Sequence, residues 1–247
     1  MGPGLLWIHG GGYVMGRPEM DDSTCAAYAS ELGMVVVSAN YRLAPRHPFP
    51  AALHDCLAAF KWFHASARQL GVDGARIAIG GASAGGGLAA ALVQLVRDRR
   101  EEACAFQLLT YPMLEDRTSQ QIAPDDNDHL VWSKRSNRFG WKSYLGDTDQ
   151  EPPVYAVPAR RRNLAGLPPA WIGVGTMDLF HDEDLAYARR LKESGVDCEL
   201  YVAPGAFHGF DVLAPHAPIT RHFREAQLAA LRRHLVAAHT DGSRQHG

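Results

Sequence analysis

The chain has 247 residues, 46% hydrophobic and 21% charged, with a formal net charge of −2, which is ordinary for a soluble globular protein and long enough for one large α/β domain or two small ones. So balanced a charge leaves no electrostatic footprint for nucleic acid or an anionic membrane, and no apolar run reaches the length of a membrane span. Cys25, Cys56, Cys104 and Cys198 form no CxxC pair, which argues against a zinc or redox motif and for free thiols in a reducing cytoplasm.

In chain order, the opening "MGPGLLWIHGGG" lacks the basic flank and long apolar stretch of a secretory signal. Its "LLWI" (5–8) is the first strand candidate and leads into a glycine-rich turn. A helical pattern over 19–32 is followed by the strand candidate "MVVVSA" (34–39), and a second helical pattern over 51–66 by "RIAI" (76–79). A third helical pattern, 84–100, precedes "FQLLTY" (106–111). The segment 114–169 breaks this rhythm. It is rich in Asp, Arg and Pro and carries Trp132, Phe139 and Trp141, and a structureless loop of that length is improbable in a compact domain. It reads as an inserted helical segment beside the site. "AWIGVG" (170–175), a helix over 182–194, "CELYVA" (198–203) and a helix over 219–238 complete the chain. Near-continuous apolar strands alternating with helices predict an α/β fold, with a mostly parallel central sheet covered by helices on both faces. The whole chain, 1–247, is expected to be one catalytic domain.

The chemistry begins at "GASAG", Gly81 to Gly85. G-x-S-x-G between a strand and a helix is the pattern of a nucleophile elbow, a sharp turn that lifts the hydroxyl of Ser83 out at the strand's end. Serine needs a base. Of the twelve histidines, His208 in "PGAFHGF" follows the last strand candidate in a loop. The carboxylate that would orient it is Asp178, directly after "AWIGVG"; the neighbouring Asp182, Glu183 and Asp184 are explained as acids at a helix start. The order Ser83, Asp178, His208 is that of an α/β-hydrolase. "HGGG", His9 to Gly12, offers amides for an oxyanion, together with that of Ala84. No metal site is indicated. "DDND" (125–128) lacks the calcium-loop pattern, and Arg160 to Arg162 reads as a surface charge run.

These motifs, with "YRLAPRHPFPAALHD" and "LAGLPPAWIGVGTMDLFHDE", resemble the hormone-sensitive-lipase-like family of α/β-hydrolase carboxylesterases over almost the whole chain. The resemblance implies Ser83 as nucleophile, His208 as base, Asp178 as its orienter, and the amides of Gly11, Gly12 and Ala84 as the oxyanion hole. It implies short- to medium-chain ester substrates, no cofactor, and a homodimer formed through the last strand and helix. Trp132, Phe139 and Trp141 are candidates to line the acyl or alcohol pocket, although ordinary packing of the inserted helices is the favoured account of them. Two departures stand out: Ala82 replaces the acid that many members carry before the serine, and HGGG begins at residue 9, where members usually have some tens of residues ahead of it. That short start predicts an open site, an unpartnered edge at the "MVVVSA" strand, and a tendency to dimerise or aggregate. A deacetylase or amidase would share every residue named. A binding protein on the same fold, like the plant gibberellin receptors that resemble this family, lacks the catalytic histidine that is present here.

Overall fold

The computed structural model describes residues 1–100, 102–120, 129–146 and 150–236, with the backbone alone at 119 and 120. Six strands form one sheet: β1 (Gly2–Ile8), β2 (Val35–Ala39), β3 (Val72–Ala82), β4 (Gln107–Thr110), β5 (Ala170–Gly175) and β6 (Cys198–Ala203). Their spatial order is β2-β1-β3-β4-β5-β6 and every pairing is parallel. Each of the six expected apolar runs is a strand of this sheet. The main difference is β3, which starts at Val72, four residues before the apolar run. The preceding "VDGA" has little strand character of its own, but Val72 pairs with Gly2.

Side chains alternate between two cores, as the pleat requires. Leu6, Ile8, Ile77, Ile79, Leu109 and Ile172 face the helices α2 (Ala51–Ser66), α3 (Ala84–Arg99) and α5 (His181–Glu193). Leu5, Trp7, Ala78, Leu108, Trp171 and Val174 face α1 (Asp22–Leu32) and α7 (Pro218–Leu231). Both faces of the sheet are thus covered, which is why its strands read as continuous apolar runs. β2 is an edge strand, yet its valines are half-buried: Val35 and Val37 pack into the first core and Val36 into the second. What lies open there is the ladder of backbone groups, not an apolar face.

The segment 114–169 contains the helix α4 (Lys134–Leu145) and short 3₁₀ turns at Asp116–Gln120 and Pro158–Arg160. Ser133 caps α4, accepting from the Ser136 amide. The acidic run 125–128 lies outside the described residues. The three consecutive arginines are not a uniform surface run. Arg160 forks onto Asp116 at 2.8 Å through two nitrogens, Arg161 pairs both oxygens of Asp98, and only Arg162 is exposed. These pairs tie the insertion to itself and to α3. The helix α6 (Phe210–Leu213) is a single turn after β6.

Candidate active site

Parallel topology delivers the ends of β1, β3, β4, β5 and β6 to one rim of the sheet, and the five loops that leave them build the site. Ser83 stands at the turn from β3 into α3 with φ +57° and ψ −123°, a conformation that costs a non-glycine residue about 1–3 kcal/mol. The surrounding glycines make the turn sterically possible. A Cβ at Gly81 would lie 2.4 Å from the Gly85 carbonyl oxygen, and one at Gly85 would lie 2.1 Å from that of Ile8. The strained serine is pinned from both sides: its amide donates to the Thr110 carbonyl at 2.9 Å, and its carbonyl accepts from Met113 at 2.9 Å. β4 and the segment after it hold the elbow.

His208 and Asp178 come from the loops after β6 and β5. The Ser83 Oγ lies 3.0 Å from His208 Nε2, and His208 Nδ1 lies 2.9 Å from Asp178 Oδ2. With Nδ1–H donating to the carboxylate, Nε2 is left to accept the serine proton. The second Asp178 oxygen accepts the Phe180 amide at 2.9 Å. The Asp178 side chain is fully buried and that of His208 is 8% exposed, so their charges act in a medium of low polarity. Two aromatic rings meet the imidazole edge to face, Tyr111 at 4.8 Å and Phe180 at 5.0 Å between centroids.

The loop after β1 approaches Ser83 from the other side. A Cβ on Gly10 would come within 3.3 Å of the Ser83 Cβ. Gly11 and Gly12 both have positive φ, +116° and +59°, so the loop curls and its Gly11 carbonyl accepts from Val14 and Met15, each at 3.0 Å. The Ala84 amide opens α3 beside the serine. His9 is buried, with its ring stacked 4.2 Å from Tyr41; its Nδ1 faces the Gly10 carbonyl at 2.8 Å. Burial pushes its pKa down, so a neutral imidazole shapes the loop.

The three aromatic residues of the insertion have separate positions. The Trp132 ring occupies the space a Cβ on Gly12 would need, 2.1 Å from its Cη2, and its Nε1 donates to Asn137 at 3.3 Å. Trp141 is buried among Tyr13 and Tyr144, 5.2 and 6.1 Å away. Phe139 is 58% exposed and lines an outer groove of about 430 Å³ with Pro45, Pro48 and Lys142. A cleft of similar volume, about 420 Å³, opens on the Asp178 side, bounded by Thr118, Lys134, Leu179 and His181.

Sequence reasoning passed over two acids at the start of α5. Asp182 is exposed at the helix start, as expected of a helix-start acid, but Glu183 and Asp184 point inward. The Glu183 Oε1 accepts the Leu114 amide at 2.7 Å and that of Glu115 at 3.2 Å, and Oε2 meets the Thr118 hydroxyl. It anchors the insertion's first residues, and burial pushes its pKa up to about 8. Asp184 is completely buried, and among the described residues neither of its oxygens has a partner. Burial, with Glu183 and Asp178 nearby, holds its pKa well above the carboxylate range. Helical periodicity carries the signal: Asp184, Tyr187, Ala188 and Leu191 share one buried stripe.

A family model described as alpha/beta hydrolase fold matches residues 5–212. Among curated relatives, the esterase LipI of Mycobacterium tuberculosis is 39% identical over 93% of this chain and 72% of its own length. The ethyl acetate hydrolase of Pseudomonas putida is 33% identical over 85% of this chain and 66% of its own length. Among solved structures, a bacterial heroin esterase superposes with a TM-score of 0.89 at 41% identity, over 94% of this chain and 75% of that one.

Proposed function

We propose a reaction course from a premise the comparisons establish: this chain belongs to the alpha/beta hydrolase fold family, and it is a carboxylic ester hydrolase. In the proposed course, the Ser83 Oγ attacks the ester carbonyl carbon while His208 Nε2 takes its proton. Asp178 holds the imidazole in the Nδ1–H tautomer and balances the imidazolium. The carbonyl oxygen becomes an oxyanion facing the amides of Gly11, Gly12 and Ala84; one such donor is typically worth about 2.7–4 kcal/mol. His208 returns its proton to the leaving alcohol, giving an acyl-serine. Water, deprotonated by the same imidazole, then releases the acid and restores Ser83. The observation that carries this reading is the unbroken chain from Ser83 through His208 to Asp178, at 3.0 and 2.9 Å.

Short- to medium-chain esters are the proposed substrates, supported by the relative that is an ethyl acetate hydrolase. Trp132, which packs on Gly12, is the proposed link between the insertion and the oxyanion loop. We read the chain as one catalytic domain in which 114–169 is a structural arm of the site. Among the described residues no helix is long and apolar enough to cross a membrane. All four thiols are free, which supports a cytoplasmic setting. A homodimer through β6 is supported by that strand's edge position.

Hydrolysis of p-nitrophenyl esters from acetate to laurate, with Ser83→Ala beside the native protein, tests the course. The expected result is saturable turnover with an optimum at short to medium chains, absent from Ser83→Ala. Undiminished turnover by that variant overturns the assignment of the nucleophile.

A further inference from the structure

Asp211 is a buried carboxylic acid with no part in the reaction course above. It lies three residues beyond His208 in α6 and is 6% exposed. Its Oδ1 accepts the Tyr111 hydroxyl at 2.8 Å, and Tyr111 sets its ring against the His208 imidazole at 64°. Tyr111 is itself held in an unusual backbone state, φ +35°, with its amide bound to the Gly173 carbonyl at 2.6 Å. A bulky residue keeps such a φ only where its surroundings over-determine it. Here the backbone, ring and hydroxyl are each engaged, and two of these engagements lead to the active-site histidine or to Asp211.

We propose that Tyr111 and Asp211 are positioning residues for His208: the pair fixes the plane of the imidazole, and the Asp211 carboxylate deepens the negative field in which the imidazolium forms. This inference rests on the reading of His208 as the general base. The groups facing Asp211 are Tyr111 after β4, Arg224 on α7, Asp21 before α1, Tyr28 on α1, and His208 itself. Arg224 donates to the Asp211 main-chain carbonyl at 2.9 Å. Burial raises the Asp211 pKa, while the Tyr111 hydroxyl, Arg224 and a charged His208 draw it back. The acid is therefore coupled to the charge of the imidazole although it never touches the ring.

The test is Asp211→Asn, which keeps the volume and an acceptor for Tyr111 but removes the charge. Its first readout needs no turnover: the titration midpoint of the His208 ring, followed by NMR on histidine-labelled protein and assigned with His208→Gln. The expected result is a fall of roughly half a pH unit to one unit, with the acid limb of kcat/KM moving by the same amount and KM unchanged. An unmoved midpoint in folded Asp211→Asn protein overturns the proposal. Tyr111→Phe, which keeps the ring and its packing, is the second arm and decides the matter should Asp211→Asn not fold. It is expected to lower kcat by roughly threefold to tenfold at constant KM; a change in KM alone overturns the positioning role. Failure of the hydrolytic reading shows separately, as turnover surviving in Ser83→Ala.

Discussion

Replacing Asp184 by alanine should stabilise the protein. The native carboxyl sits in the first turns of α5 with both oxygens buried and unpartnered among the described residues, beside the acids Glu183 and Asp178. A buried polar group without a partner costs about 1–3 kcal/mol. Alanine also gains up to about 0.7 kcal/mol in helix propensity, offset by the contacts of the few atoms removed. The net expectation for the neutral carboxyl, near pH 4, is a gain of about 1–3 kcal/mol, equivalent to roughly 3–10 °C in Tm for a chain of this size. The gain must depend on pH, and its sign follows from linkage. The folded-state pKa of Asp184 is raised, so the native state holds a proton that the unfolded chain releases above about pH 3.9. Native stability therefore falls as pH rises from there towards the folded-state value. The advantage of Asp184→Ala should be smallest near pH 4 and grow by roughly a kcal/mol for each pH unit over which only the folded state keeps its proton. Urea unfolding at pH 4, 5.5 and 7 measures this, with Asp184→Asn as the companion that keeps an orphan polar group but cannot titrate. Destabilisation of Asp184→Ala at pH 7, or a pH-independent difference from the native protein, would refute the reasoning.

Three further outcomes follow from the same geometry. Asp178→Asn should leave the fold intact and lower kcat by roughly 10²–10⁴, because the amide presents the wrong partner to Nδ1–H; steady-state kinetics beside a thermal melt separates this from unfolding. Glu183→Gln keeps acceptors for the Leu114 and Glu115 amides but removes a carboxyl whose pKa is raised to about 8. It should flatten the loss of stability that the native protein shows as pH rises between about 4.3 and 8, read from Tm against pH. Trp132→Ala should reduce kcat by roughly tenfold by freeing the Gly12 loop, whereas Phe139→Ala, at an exposed position, should change kcat/KM for p-nitrophenyl butyrate less than twofold. Equal losses in both would return Phe139 to the substrate pocket.

The sheet and the elbow were legible because each rests on a local rule. Both faces of the sheet are covered, so the six strands read as apolar runs, and crowding leaves room for glycine alone at positions 81 and 85, the two ends of the pentapeptide around Ser83. Asp178 and His208 could be selected because each directly follows a strand, where parallel topology collects loops. Tyr111 also follows a strand, but nothing local marks it: its role depends on Asp211, a hundred residues away. The inward turn of Glu183 and Asp184 was hidden by a competing local explanation, since acids at a helix start satisfy the macrodipole wherever they point. For Trp132, Phe139 and Trp141, composition announced an aromatic segment, but only the packing of α4 against Tyr13 and Gly12 separates the buried ring from the exposed one.

The strand order also makes the two edges of the sheet unequal in what their fraying can do. Partial opening normally begins at the periphery of a fold, in cooperative units less stable than the whole. Detaching β2 would remove a strand that carries no reacting group and leave β1, β3 and β4 paired around the elbow. In a monomer, where β6 is unpaired on its outer side, detaching it would carry off the loop of His208 while Ser83 kept both its backbone clamps, from Thr110 and Met113. Conditions that populate the open form of β6 should therefore abolish turnover in proportion to that population, whereas opening of β2 leaves the chain from Ser83 through His208 to Asp178 intact. One border of the sheet acts as a fuse for the enzyme, while the other carries Tyr41, whose ring and hydroxyl support the His9 loop.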